Sequence, residues 1–163
     1  MNYIISLKTL SKSDLTDCVA ILKNDVVKKT YMLPDFANDE EAVKLFDRLL
    51  ELSVEDNRYV RGIYLDEKLI GIINDTEIFG AQIEIGWALH PDFHGKGYAT
   101  QAVKYAVNDL FAKGFKVVVA GAFSENTASM RVMEKAGMHR IEKTEEISYR
   151  GENHTCIFYQ IEN

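Results

Sequence analysis

Proline, cysteine and tryptophan are scarce in this chain of 163 residues, which holds two, two and one of them. With only Pro34 and Pro91 there is no proline-rich linker, and no low-complexity tract or internal repeat takes its place. Cys18 and Cys156 are far apart and form no CxxC pair. They make neither a disulfide framework nor a cysteine metal site, and both read as buried thiols of a reducing compartment. The four histidines make no metal set either, because Pro91 and Gly95 keep His90 and His94 off a shared helix face. No apolar run reaches the length of a membrane span. The stretch from Tyr3 to Leu7 is too short for a signal peptide and lacks a cleavage pattern. The expectation is a cytoplasmic protein with no membrane partner. Positive charge is also in deficit: 19 basic residues stand against 25 acidic ones, a net charge of −6. That argues against nucleic acid as the main partner, since phosphate backbones need basic surface. It suits a cationic substrate.

The remaining composition, 47% apolar and 27% charged, is that of a globular protein. The length suggests a single domain over residues 1–163, able to bury roughly 70% of its unfolded surface without staples. Along the chain, Met1 to Leu7 alternates as a strand. Ser13 opens a helix with Leu15, Cys18, Val19 and Leu22 on its apolar face. Residues 25–36 read as irregular. Asn38, with Glu41 three residues on, resembles a capping box before Ala42, Leu45, Phe46 and Leu49. Strands follow at 59–65, 69–73, 82–89 and 116–123, and a hairpin turning near Gly151 ends the chain. Helices span Gly97 to Lys113 and Asn126 to Ala136, each followed by a glycine, Gly114 or Gly137, in C-cap position. The order β-α-α-β-β-β-α-β-α-β-β implies one mixed sheet with helices packed on it, an α/β chain of α+β type.

The stretch HPDFHGKGYATQAVKYAV (90–107) concentrates glycine where a strongly periodic helix begins. Such a loop presents unpaired amides, and the helix dipole adds positive potential at the same place. Small side chains then let an anion approach the backbone. A Walker A loop is excluded, because His90 stands where its first glycine belongs and no Gly-Lys-Ser/Thr follows. A dinucleotide fingerprint fails as well: Thr100 replaces its third glycine, and Gly121-Ala122 replaces the acid that ends the next strand. A plain turn with an N-cap stays open. In the preceding strand, QIEIGWAL, Ile83, Ile85, Trp87 and Leu89 face one way while Glu84, Gly86 and Ala88 face the other. A carboxylate beside two nearly absent side chains leaves a hollow. The alternative is a solvated edge glutamate with Gly86 marking a bulge.

HGKGYA (94–99) resembles motif A of the GNAT superfamily of N-acetyltransferases, and NTASMRVMEKAGM (126–138) resembles a second conserved stretch of its ribosomal-protein alanine N-acetyltransferase branch. VVKKTYMLP resembles the loop between the first two helices of that branch. The resemblance implies a mostly antiparallel, twisted mixed sheet of about seven strands flanked by about four helices. It implies acetyl-CoA as co-substrate, no metal, and an amine acceptor: a protein N-terminus or an amine-bearing small molecule. Carried onto this chain, it places the pyrophosphate on the amides of Gly95, Lys96, Gly97, Tyr98 and Ala99, beside His94 in the first motif position. It places the pantetheine arm on Trp87, Ala88 and Leu89 with Asn126, and makes Glu84 the base or the holder of a water. Met133 stands where many members carry the tyrosine that protonates the leaving thiolate, which leaves Ser129 or bulk water.

Lys96 and Arg131 read either as phosphate contacts or as solvated cations. Tyr31, Met32 and Phe36 read either as the lining of an acceptor pocket or as core. Asn126 is a good N-cap whatever else it does, and Ser129 sits on a helix face with Val132, Met133 and Ala136. Direct transfer in a ternary complex is expected, because no covalent nucleophile stands out. The alternative is a non-catalytic acyl-CoA sensor on the same fold. The sequence is compatible with a homodimer and does not specify one.

Overall fold

Residues 82–89 form a strand whose alternate side chains enter two different cores. Ile83, Ile85 and Leu89 lie in one, with Trp87 packed against it, and Ala88 lies in the other. In the computed structural model, which describes residues 4–163, this strand is β4 (Gln82–Leu89) of a seven-stranded sheet. Before it come β1 (Ile5–Lys8), a 3-10 turn (Lys12–Asp14), α1 (Leu15–Leu22), α2 (Asp25–Lys28), α3 (Asp39–Ser53), β2 (Val60–Leu65) and β3 (Lys68–Phe79). After it come a 3-10 turn (Pro91–Phe93), α4 (Tyr98–Ala112), β5 (Val117–Phe123), α5 (Thr127–Lys135), β6 (His139–Tyr149) and β7 (Glu152–Glu162). The expected first strand thus begins outside the described residues. The strand order is β1-β2-β3-β4-β5-β7-β6, and every pair is antiparallel except β4 with β5. That parallel pair needs a crossover, which α4 supplies.

On one face, α4 buries Ala102, Val103, Ala106, Val107 and Leu110 at helical spacing together with Tyr98; Ala99 and Phe111 are partly buried against them, and α5 adds Met133. On the other face, Cys18, Ile21 and Leu22 of α1 meet Phe46, Leu49 and Leu52 of α3 over Val60, Leu69 and Ile72. A third, smaller cluster joins Val119, Cys156 and Phe158, and every side chain in it and packed against it comes from a strand. Gly121 sits on that face because a Cβ there would stand 2.8 Å from the Phe158 ring and 3.0 Å from the Cys156 sulfur. The expected C-caps are present, with φ of 104° at Gly114 and 92° at Gly137.

Three boundaries differ from expectation. The first helical segment opens at Ser11 rather than Ser13. Ser11 accepts from the Ser13 N–H, and Asp14 closes the box by accepting from the Ser11 N–H at 2.8 Å. Asp14 also accepts from the Tyr64 hydroxyl, so the box is tied into the core. Residues 25–36 are not wholly irregular: Asn24 accepts from the Val26 and Val27 N–H groups and starts α2, the helix beyond the expected four. β3 runs on past Ile73 to Phe79, because its most polar-looking member is hidden. Asp75 is only 4% exposed, its carboxylate clamped by Nε (2.7 Å) and Nη2 (3.1 Å) of Arg58. At Asn38 the expected cap holds, though Glu41 reaches back to the Ala37 N–H.

A lost N-cap costs about 0.5–2 kcal/mol. Urea unfolding is therefore expected to show Ser11→Ala destabilised by about 1 kcal/mol, with Ser13→Ala clearly less affected. Equal losses would contradict the cap assignment.

Candidate active site

The parallel pair at the centre of the sheet comes apart. β4 and β5 are in register from Gln82 with Val117 to Ile85 with Ala120, and no further. Beyond that point Gly86 to Leu89 stay paired only with β3, and Gly121 to Phe123 only with β7. The edge of β4 that faces β5 is thereby left without a strand partner from Gly86 onward, and main-chain groups there can receive a ligand.

The glycine loop lies at the mouth of this gap. His90 caps the turn before it, its Nδ1 accepting from the Asp92 N–H at 3.2 Å. His94 Nε2 donates to the Leu89 carbonyl at 2.8 Å, so the ring braces the loop against the end of β4. Gly95 and Gly97 have φ of 73° and 82°, and a Cβ on either would meet nothing within 4 Å. The first amide of α4 with a helical partner is that of Gln101, on the Gly97 carbonyl at 3.1 Å. Those of Gly95 to Thr100 find no acceptor among the described residues. α2, α3 and α5 each start on an asparagine side chain, whereas α4 starts on Gly97 with none. A row of six unsatisfied N–H groups at the positive end of a 15-residue helix is an anion site in waiting.

Gap and loop open into one cavity of about 510 Å³. Of the residues singled out in the sequence, Tyr31, Trp87, Ala88, Leu89, His94, Gly95, Gly97, Tyr98, Ala99, Asn126, Ser129 and Arg131 line it. Lys96 is exposed beside it and does not. Sequence reasoning missed the contribution of α2 and the turn after it: Val26, Val27, Lys29 and Thr30 form a wall. The resemblance of VVKKTYMLP to a helix-connecting loop was the available signal. Lys29, Arg131 and Lys135 line the cavity and no carboxylate among the described residues does, in a chain of net charge −6. Such a cavity suits an elongated polyanion.

Asn126 and Ser129 are locked together. Asn126 Oδ1 accepts from the Ser129 N–H at 3.2 Å, while its Nδ2 donates to Ser129 Oγ at 3.0 Å. With one lone pair of Oγ so engaged, the hydroxyl hydrogen is free to point elsewhere. Met133 is completely buried in the core shared with α4, which explains an apolar residue at that position.

Besides Lys96, three expected site residues lie away from the cavity lining. Glu84 accepts from the Thr76 hydroxyl at 2.5 Å, and Thr76 is the extra residue of a bulge in β3 opposite it. The bulge therefore belongs to β3 and not to Gly86. Met32 is 53% exposed, and Phe36 packs on the α1–α3 core beneath the Lys28 ammonium. Tyr31 alone of the expected acceptor residues faces the cavity. Its phenol donates to Asn74 Oδ1 at 2.6 Å and is raised above its usual pKa, first by burial. Tyr149 anchors the same loop: its hydroxyl donates to the Lys28 carbonyl and accepts from the Leu33 N–H.

Fold and cavity together define an α/β protein whose split sheet opens on unpaired amides and cationic side chains. A family model described as an acetyltransferase (GNAT) domain matches residues 5–139, and the chain belongs to that family. The Bacillus subtilis protein named probable N-acetyltransferase YjcK is 32% identical over 112 residues, or 65% of this chain and 62% of that protein. The match thus spans about three fifths of this relative's length. Among solved structures, a GNAT-family acetyltransferase from Bacillus anthracis superposes with a TM-score of 0.84 at 24% identity, covering 99% of this chain and 97% of that one. The microcin C7 self-immunity acetyltransferase MccE, solved with acetyl-CoA and AMP, does so at 0.85 and 18%, covering 99% and 94%. These likenesses show the fold.

Burial, then Asp14, pushes the Cys18 thiol up to about 12, and burial, then Glu84, pushes Cys156 up to about 11. Both remain thiols at neutral pH, and a thiol is a poor nucleophile. Native protein at pH 7.5, a value set about 1 unit below a free thiol, is expected to leave both unmodified by iodoacetamide. Mass spectrometry should find both alkylated in guanidinium. Rapid labelling of either in the native state would contradict the burial.

Proposed function

We propose that this chain moves an acetyl group from acetyl-CoA to a primary amine, on a protein N-terminus or a small molecule, by direct transfer in a ternary complex. The observation that carries this reading is the row of unsatisfied amides from Gly95 to Thr100 opening on the split between β4 and β5. The residues fit the donor: open space over two positive-φ glycines admits a pyrophosphate, and Lys29, Arg131 and Lys135 supply cations without a competing carboxylate. When bound, acetyl-CoA supplies an acetyl group activated as a thioester.

The chain's own residues would then act as follows. Amides 95–99 hold the diphosphate. The unpaired edge at Trp87 and Leu89 binds the pantetheine arm, and one N–H there meets the developing oxyanion, a contribution often as large as proton transfer. Ala88 offers no main-chain group to the arm, since its N–H and C=O face β3, as the His90 N–H does in bonding the Ile70 carbonyl. Of Leu89 only the N–H is free, because His94 holds its carbonyl. The Ser129 hydroxyl, oriented by Asn126 and lining the cavity, would donate to the leaving sulfur. The amine arrives protonated, with a pKa of about 10 for a lysine type and about 8 for an α-amino group. Glu84 attracts that cation and holds a water that begins its deprotonation. Positioned acid-base help of this kind contributes about 10²–10⁴-fold.

The test is thiol release from acetyl-CoA across a panel holding an alanine-starting peptide, spermidine and free lysine. At least one amine is expected to turn over, and Glu84→Gln to lower its kcat/KM by about 10²-fold while coenzyme affinity by calorimetry stays unchanged. Coenzyme binding with no turnover of any amine would point to a sensor instead. Gly97→Val is expected to abolish coenzyme binding. The left-handed φ costs a branched residue about 1–2 kcal/mol, so its circular dichroism should remain native at 25 °C. Unchanged coenzyme affinity in that variant would overturn the phosphate assignment.

A further inference from the structure

His154 is a histidine that the functional reading above leaves idle, and its setting is unusually constrained. It lies on β7 on the same face as Cys156 and Phe158, by strand alternation. Glu84 and Ala88 share that face, and the charge of Glu84 is felt at the Cys156 thiol. The register fixes the levels. Glu84 lies opposite Val119, so Ala88, four residues on, stands level with Phe123 across the gap. The His154 ring stacks on Phe123, with centroids 4.1 Å apart and planes 13° from parallel. Glu84 is set back by four residues, roughly 13 Å along the strand. His154 therefore stands level with the free end of β4, on the sheet face it shares with Glu84 and outside the lining of the cavity.

Its hydrogen bonding is that of an oriented base. His154 Nδ1 lies 2.5 Å from Glu125 Oε1. A carboxylate only accepts, so Nδ1 carries the hydrogen and Nε2 of the neutral ring keeps its lone pair. Glu125, in the connection between β5 and α5, is held below the usual carboxylate range by its own backbone and then by His154. It directly precedes Asn126, which lines the cavity. The other groups facing the ring are Glu152 of the same strand, with Oε2 4.0 Å from Nε2 and so beyond hydrogen-bond reach, and Tyr149 of β6, its ring 6.4 Å away.

We propose that His154, oriented by Glu125, takes the proton from the amine nitrogen as it attacks. This rests on the acetyl-transfer reading. The amine N–H bond breaks, Nε2 gains the hydrogen, and the imidazolium is stabilised by the Glu125 carboxylate until it hands the proton to water. Glu84 with Thr76 draws in the cationic acceptor and removes the first proton through its water, leaving the free amine, and His154 takes the second proton as the nitrogen attacks.

The experiment measures kcat/KM between about pH 5 and 9 for wild type, His154→Gln and Glu125→Gln, with acetyl-CoA and whichever panel amine turns over fastest. The His154 ring is titrated by NMR in the same buffer without ligand. In the wild type, log kcat/KM is expected to rise with pH through a midpoint that coincides with the ring titration. His154→Gln is expected to lose that limb and about 10²-fold of rate at pH 7, with coenzyme A affinity by calorimetry within about twofold. Glu125→Gln is expected to keep the limb, displaced together with the ring titration, and to lose less rate. A limb that survives in His154→Gln, a limb that does not follow the ring in Glu125→Gln, or loss of coenzyme affinity alongside rate would overturn the assignment. Failure of the wild type to acetylate any panel amine would overturn the functional reading and this inference together; normal wild-type turnover with an unchanged variant profile overturns this inference alone.

Discussion

The separation of β4 from β5 is the constraint on which the rest depends. Two parallel strands that stay paired for four residues and then part leave main-chain donors and acceptors unsatisfied in the middle of a sheet, a condition a folded protein tolerates only where something else can satisfy them. The crossover that returns the chain to β5 begins with the glycine loop, so the orphan amides of α4 and the free edge of β4 open on the same space. His94 ties the two together by bonding the last carbonyl of β4 from the first position of the loop. Rigid packing of α4 against the core, through Ala102, Val103, Ala106 and Leu110, holds that arrangement in place.

Charge is distributed to match. The chain as a whole is acidic, yet its cavity is lined by Lys29, Arg131 and Lys135. Glu84 and Glu125 stand on the other bank, on the sheet face of the buried cluster of Val119, Cys156 and Phe158. A polyanionic donor and a cationic acceptor would thus meet from opposite sides at the split, each drawn to its own bank. Tyr149 and the Arg150–Asp35 ion pair fasten the β6–β7 hairpin to the loop that carries Tyr31, so the acceptor side is braced by contacts remote in sequence.

Local patterns made much of this legible in advance. Alternation in residues 82–89 marks β4 residue for residue, and the glycines at 95 and 97 before a 3.6-residue repeat mark the loop whose amides are left unpaired. Where sequence reasoning failed, a tertiary partner had changed a residue's meaning. Asp75 reads as a strand breaker until Arg58 neutralises it in the interior. Ser13 is as good a cap as Ser11 until Asp14 and Tyr64 choose between them. Residues 25–28 look irregular because a four-residue helix has no period to display. Met32 and Phe36 could not be sorted from Tyr31, since only the folded loop decides which side chain turns toward the cavity. His154 gave no signal at all: its partners, Phe123 and Glu125, lie about thirty positions earlier and meet it only through the pairing of β5 with β7.

The most direct measurement is an amide ¹H–¹⁵N spectrum of the labelled protein titrated with coenzyme A. The largest shifts should fall on Gly95 to Thr100, with a second set on Trp87 and Leu89. Binding that leaves those amides unmoved and perturbs another part of the sheet would contradict the central claim.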